Sequence, residues 1–335
     1  MQLTLAVPTV GDRVAQMVVK MVLEPELDPT FHSDSYGYRP GKSAIEAVRT
    51  ARQRCWQHNW VVDLDIKGFF DNIDHGLLMK AVEKHTRCTW IRLYISRWLK
   101  ASVVLKDGTL EVRVKGTPQG GVISPLLANL YLHYALDVWM SRHHPDVPFE
   151  RYADDVVLHC RTRWRAEVIL SSLQKRLKDC KLELHPQKTK IVYCKDSNRK
   201  GDHEWIAFDF LGFTFRPRKA MSKTRHVFTG FTPAISRKSL NRISMTIRNW
   251  KLQRWSGQSI EEIAHALNPV ISGWLNYYRH FGRAELYRVI KMLNFALIRW
   301  ARRKFKGMKR SYRKSKQFLE RMCKQQPQLF AHWSF

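Results

Sequence analysis

Acidic residues nearly vanish from this sequence beyond residue 215. Residues 1–215 carry 31 Lys and Arg against 25 Asp and Glu, a net of +6; residues 216–335 carry 27 against four (Glu261, Glu262, Glu285 and Glu320), a net of +23. Carboxylate chemistry is thereby confined to the first part, and the second has the charge of a surface that lies against phosphates. Long apolar runs are missing too. Nowhere does the sequence hold the roughly 18 consecutive apolar residues of a membrane-spanning helix, so no membrane partner is expected. The opening stretch, MQLTLAVPTVGDRVAQ, has no basic segment leading into an apolar one, and no secretory leader is expected. Cysteine pairs are absent as well. Cys55, Cys88, Cys160, Cys180, Cys194 and Cys323 are scattered without a CxxC, which argues against a zinc ribbon and for free thiols in a reducing cytosol.

What is abundant is positive charge. Lys and Arg number 58 against 29 Asp and Glu, +29 on 335 residues, and a polyanionic partner is the economical account. With 44% hydrophobic residues the chain can bury a sizeable core, in two domains or one large one.

The spacing of apolar residues predicts a helix over 10–26, with Val14, Met17, Val18, Met21 and Val22 on one face. A turn-rich stretch punctuated by Pro40-Gly41 leads to a second helix over about 43–58. Residues 60–66 (WVVDLDI) alternate as a strand, with Asp63 and Asp65 on one side. Helices over about 75–86 and 88–101 follow. VVLKDGTLEVRV reads as a hairpin turning at Asp107-Gly108, and GTPQGGVISPLLANLYLHYALDVWM as a glycine-rich loop entering a long helix. FERYADDVVLHC is a second hairpin, residues 164–181 an amphipathic helix, and LELHPQKTKIVYC and WIAFDFLGFTF short strands. Helices mixed with non-sequential hairpins give an α+β fold with antiparallel sheet rather than a βαβ repeat.

Around 216–232 the composition turns basic, and a boundary is placed there: domains 1–220 and 221–335, the second helical to its end. Trp274, Tyr277, Tyr278 and Phe281 recur at helical spacing and are expected to pack between helices. Residues 302–316 hold nine basic residues in 15 with aromatics interleaved, so Arg302, Arg303, Lys304, Lys306, Lys309, Arg310, Arg313 and Lys314 are expected to contact RNA.

Two acidic spots stand in strongly apolar, β-branched surroundings: Asp63/Asp65 in VVDLDIKGFFDNIDH and Asp154/Asp155 in RYADDVVLHC. Gathering carboxylates in a half-buried sheet is costly unless a cation neutralises them. Oxygen-only ligation suits Mg²⁺, and two such ions about 3.5–4 Å apart activate a 3′-hydroxyl and stabilise leaving pyrophosphate. The chemistry is nucleotidyl transfer on a nucleic acid.

Tyr152-Ala153-Asp154-Asp155 resembles the YxDD box of reverse transcriptases, and Asp65-Ile66-Lys67-Gly68-Phe69-Phe70-Asp71 resembles the first catalytic strand of their palm. Thr117-Pro118-Gln119-Gly120-Gly121, followed by Ser124-Pro125-Leu126-Leu127, is similar to the loop and helix that back the nascent base pair. Leu182-Glu183-Leu184 through Lys188-Thr189 resembles the motif whose lysine lies near the triphosphate, and Phe210-Leu211-Gly212-Phe213 the primer grip. Pro8-Thr9-Val10, with Asp12-Arg13-Val14, and Tyr36-Gly37-Tyr38-Arg39-Pro40-Gly41 resemble fingers segments of bacterial group II intron enzymes. Asn268-Pro269-Val270-Ile271 with Gly273-Trp274-Leu275-Asn276-Tyr277-Tyr278 is similar to their thumb/maturase domain.

The resemblance to bacterial group II intron reverse transcriptase/maturases implies a right-hand polymerase, fingers and palm to about 220 and a helical thumb beyond. It implies Asp65, Asp154 and Asp155 as catalytic ligands of two Mg²⁺ ions, with Asp63 in support. Phe70 becomes the steric gate against a 2′-hydroxyl, Gln119 and Gly120 the backbone approach to nucleotide and template, Lys188 the triphosphate contact, and Phe210, Leu211 and Gly212 the primer grip. The implied partners are group II intron RNA, an RNA or DNA template with its primer, and dNTPs, in a bacterial cytoplasm beside the nucleoid. Homodimerisation stays open. Two departures are expected. The chain opens with Leu3 where the family's triphosphate-clamping arginine is expected, so the fingers are partial. No His/Cys endonuclease follows Phe330-Ala331-His332-Trp333. The activity implied is RNA-directed DNA synthesis joined to intron splicing; the alternative is a maturase that binds RNA without polymerising.

Overall fold

A computed structural model describes residues 8–104, 108–118, 120–221 and 224–335. Two compact units are present: the chain to Phe208 together with Lys219–Phe231, and Asp209–Arg218 together with Thr232–Phe335.

In the first unit the chain enters through α1 (Val10–Leu27), capped by the Thr9 side chain, which accepts from the Asp12 amide. Its buried face is Gln16, Val19, Leu23 and Leu27, and the face singled out in the sequence, Val14, Met17, Val18, Met21 and Val22, is exposed. Val19, Leu23 and Leu27 join the core on that face, and buried Gln16 beside them accepts from the Val122 amide at 2.8 Å. Helix α2 (Ala44–Gln57) opens on a capping box between Ser43 and Glu46. After it come β1 (Trp60–Asp65), the short α3 (Phe69–Asn72), α4 (His75–His85) and α5 (Thr89–Lys100).

The 103–111 hairpin appears as β2 (Val103–Val104) and β3 (Leu110–Glu111); its expected turn residue Asp107 lies outside the described residues. Helix α6 (Ser124–Leu132) is buried along almost its whole length. A π-helical turn, His133–Asp137, then joins it to α7 (Val138–His143). Such a turn resets which side chains face inward, and it delivers Asp137, fully buried, toward the sheet.

The sheet itself adds β4 (Phe149–Tyr152), β5 (Asp155–Cys160) and β6 (Lys190–Tyr193) to β1, in the order β4-β5-β1-β6, all antiparallel. Helix α8 (Arg163–Asp179) covers it with Ala166, Ile169, Leu173 and Leu177, each fully buried. The Ile and Leu side chains contribute about 1.5–3 kcal/mol apiece on burial, and this layer backs the sheet.

Where the basic composition sets in, the described chain is strand rather than the start of helix: β8 (Phe213–Met221) and β9 (Val227–Ile235) form a three-stranded sheet with β7 (Phe208–Phe210). The β-branched and aromatic residues of VFTGFTPAI favour this. Helices begin with α9 (Arg237–Asn249), then α10 (Ile260–Tyr278), α11 (Arg283–Lys304) and α12 (Tyr312–Gln325). In this second unit the Phe213 ring sits 5.3–5.5 Å from those of Tyr277, Tyr278 and Phe281, and Trp274 stacks on Trp250 at 5.6 Å. These aromatics thus pack as their spacing predicts.

Candidate active site

Asp65 ends β1, and its register partner across the ladder is Asp155, the first residue of β5. Directly opposed residues of an antiparallel pair project from the same face, so two carboxylates stand together at one end of the sheet. Asp63, two residues back, pairs in register with Lys190 of β6. Asp154 lies in the tight turn between β4 and β5, after Ala153 at φ +56°.

A left-handed alanine costs about 1–2 kcal/mol, and Arg151 helps to hold it in place. This guanidinium is fully buried. It donates to Ala153 O at 3.1 Å, to Asn129 Oδ1 at 2.9 Å, and in a fork to the Asp137 carboxylate at 2.8 and 2.7 Å. The segment carrying Tyr36 runs along the same strand: Arg151 N donates to Asp34 O, and Tyr36 N to Arg151 O. Gly37 then passes so close to the turn that a Cβ would lie 2.4 Å from Ala153 N, which only glycine permits.

Burial pushes the Asp154 carboxyl above its ordinary range, and the Asp65 charge adds to the rise, while Lys188 and Arg151 pull it down. Lys188 reaches Asp65 Oδ2 at 3.2 Å, on a loop secured where His185 N donates to Asp65 O at 2.8 Å. Asp65 and Asp154 are therefore electrostatically coupled acids, one of them poorly solvated, a setting a divalent cation would relieve. Among the described residues no three His, Cys, Asp or Glu side chains form a ready cluster for a metal. Mg²⁺ ordinarily takes one or two carboxylates and completes its shell with water and phosphate oxygens.

A cleft of about 890 Å³ opens beside the turn, and Phe70, Gly120 and Asp154 all line it. The half-buried Phe70 ring meets Phe69 edge-on at 5.4 Å. The loop carrying Gly120 (φ +107°) is anchored to the same segment, since Thr117 N donates to Phe70 O and Gly116 N to Ile73 O. Gly116, at φ +84°, sits where a Cβ would lie 2.9 Å from the carbonyl oxygens of Phe70 and Asp71. Gln119 lies outside the described residues. Tyr38 of the fingers segment also lines the cleft; sequence reasoning missed Arg113 and Lys115 on its wall, and Arg151, Asn129, Asp137 and Gln16 behind it. No signal marked Arg151, which follows Glu150 in the short strand FERY.

Phe210, Leu211 and Gly212 belong to the second unit. Phe210 is buried, and Leu211 and Gly212 take φ of +49° and +80° in the turn between β7 and β8. Tyr277 donates to Leu211 O at 2.8 Å, and Gly212 O accepts from Ser236 N and Ser239 Oγ. Of the basic set, Arg303, Lys306, Lys309, Arg310, Arg313 and Lys314 are exposed. Arg302 is half-buried and donates to Lys309 O, and Lys304 bends inward to Ser256 O and Gln258 O at 3.2 and 2.6 Å.

Residues 2–215 match the family described as reverse transcriptase (RNA-dependent DNA polymerase), and residues 240–318 the group II intron, maturase-specific domain. Protein YkfC of Escherichia coli (strain K12) is 31% identical over 263 residues, 67% of this chain and 66% of its own length. The group II intron-encoded protein LtrA of Lactococcus lactis subsp. cremoris is 39% identical over 129 residues, 38% of this chain and 21% of its own. The match thus spans less than two thirds of either relative. Among solved structures, telomerase from Candida albicans in complex with a telomeric RNA fragment aligns with a TM-score of 0.49 and 12% identity over 94% of this chain and 55% of that one. Among the described residues no helix is long and apolar enough to cross a membrane.

Proposed function

This chain belongs to the reverse transcriptase family and carries a group II intron maturase-specific domain, and from that premise we propose that it copies RNA into DNA and assists splicing of a group II intron RNA. The observation that carries the reading is the pairing of Asp65 with Asp155 in register, beside Asp154 in a turn whose conformation is locked from behind. In this reading residues 1–220 form the fingers and palm and 221–335 the thumb and maturase domain.

Asp65, Asp154 and Asp155 supply oxygen ligands for magnesium. When bound, a pair of such ions activates the primer 3′-hydroxyl and stabilises the leaving pyrophosphate. Lys188, released from Asp65, places its charge on the triphosphate or donates a proton to the departing pyrophosphate. Phe70 fills the space a 2′-hydroxyl needs and so favours deoxynucleotides. Gly120, without a Cβ, lets backbone approach the incoming nucleotide, with Gln119 beside it. Phe210, Leu211 and Gly212 steady the primer end. The exposed cations from Arg303 to Lys314 hold intron RNA. A bacterial cytoplasm beside the nucleoid is the location that fits these partners.

A second reading is favoured by the charge partition. A net of +23 over residues 216–335 would serve a splicing cofactor that binds RNA without polymerising. Primer extension separates the two. The chain is given a DNA primer annealed to an RNA template, dNTPs and Mg²⁺, beside Asp154→Ala. Extension that disappears in the variant is expected; RNA binding with no extension by the wild type leaves the cofactor reading.

A further inference from the structure

Helices α11 and α12 enclose a cleft of about 940 Å³ that none of the residues assigned above occupies. On α11, Lys291, Phe295 and Ile298 recur at intervals of four and three; on α12, Tyr312, Lys316 and Leu319 do the same, so each helix turns one face to the shared space. Ile298 and Leu319 are buried and make an apolar floor. The Phe295 and Tyr312 rings stay 53% and 48% exposed. Trp333 lines the same cleft, its indole N–H held by Asn294 Oδ1 at 3.2 Å. Lysines 291, 316 and 324 also line it, against one acid, Glu320, which lies 3.6 Å from Lys316.

We propose that this cleft binds unpaired RNA, with bases stacked on Phe295 and Tyr312 and phosphates met by the lysines. An isolated exposed aromatic needs no explanation, but two on facing helices, over an apolar floor and amid cations, form a stacking platform. The positive charge selects a polyanion over an apolar peptide. A duplex offers phosphates but keeps its base faces stacked inside, so only unpaired nucleotides can use the rings. The site rests on the RNA-binding part of the proposed function and specifies the form of RNA that is gripped.

The test compares the full chain with Phe295→Ala/Tyr312→Ala, two exposed positions, by fluorescence anisotropy over a salt series. The probes are a short unstructured RNA and a blunt hairpin with the same number of phosphates. The double variant is expected to lose roughly five- to one-hundred-fold in affinity for the unstructured RNA, with its salt slope and the hairpin affinity unchanged. Equal losses on both RNAs, or no loss on either, overturn the site. So does a wild-type dimer, seen by native mass measurement, that the double variant abolishes, because the cleft is then an interface between copies. As a readout independent of the variant's folding, RNA carrying 4-thiouridine is expected to crosslink to Phe295, Tyr312 or Trp333 of the wild type; crosslinks confined elsewhere overturn the proposal. A wild type that extends no primer, yet needs both rings for unstructured RNA, leaves the site standing while polymerase activity falls.

Discussion

Arg151 and Asp137 are fully buried partners, and their fork also reaches the carbonyl of Ala153 in the acidic turn. Removing the arginine strands a carboxylate away from water. Arg151→Met should therefore destabilise the chain by about 3–5 kcal/mol, read from urea unfolding, and adding Asp137→Leu should recover much of the loss. An unchanged urea midpoint in the single variant would show that the fork adds nothing to stability. Phe70 tests the cleft. Phe70→Ala should leave dNTP incorporation measurable while eroding the preference for dNTPs over rNTPs by roughly 10- to 100-fold, the range over which an apolar wall discriminates against an added hydroxyl. Competition assays with matched nucleotide pairs give that ratio directly. At this scale the acids were legible, because charged residues in β-branched surroundings require an explanation. Arg151 was not, since nothing in sequence spacing tells a buried guanidinium from an exposed one. Gln16 was hidden the same way: its burial depends on a loop amide more than one hundred residues away.

The elements followed their periodicity closely where one face is apolar and the other polar, as in α8. Helix α1 shows the limit. Its sequence carries apolar residues on most sides; the side covered is the Val19–Leu23–Leu27 stripe, with Gln16 held there by the Val122 amide. The π-helical turn at His133–Asp137 was equally invisible, because one added residue per turn leaves no compositional mark. The final segment makes an element-scale prediction. His332 is buried, its Nε2 donating to Asn294 Oδ1 at 2.9 Å, and burial pushes its pKa down to about 4 from 6.5. The unfolded chain then binds the proton first, so stability present above about pH 6.5 is lost as pH falls toward 4. Urea unfolding at pH 7 and pH 5 should show this loss, and His332→Gln should reduce it. Equal pH dependence in wild type and variant would mean that His332 is not its source.

For the molecule as a whole, charge is divided by position along the chain: near-balance over residues 1–215, and a large excess of cations over residues 216–335, which the proposed function assigns to RNA. Binding that depends on phosphates releases counterions, so log K for RNA should fall steeply and linearly with log salt. Changing Lys306, Lys309, Arg310 and Arg313 to Gln should lower the slope by about one per contact removed, with similar losses on unrelated RNA sequences. A slope that stays the same would place the contacts elsewhere. Family membership and the α+β architecture were readable because the motifs carry both residue type and order. The inward turn of Lys304 was not readable, because a basic run looks alike whether its side chains face solvent or backbone carbonyls.

Asp65, Asp154 and Asp155 are expected to form one cation site when nucleic acid and nucleotide arrive. The most direct measurement is Mn²⁺ binding by electron paramagnetic resonance, using the full chain with a dideoxy-terminated primer on an RNA template and the next dNTP. Tight binding that Mg²⁺ displaces, and that Asp65→Asn and Asp154→Asn each weaken severely, is the predicted result. Mn²⁺ binding indifferent to both substitutions would contradict it.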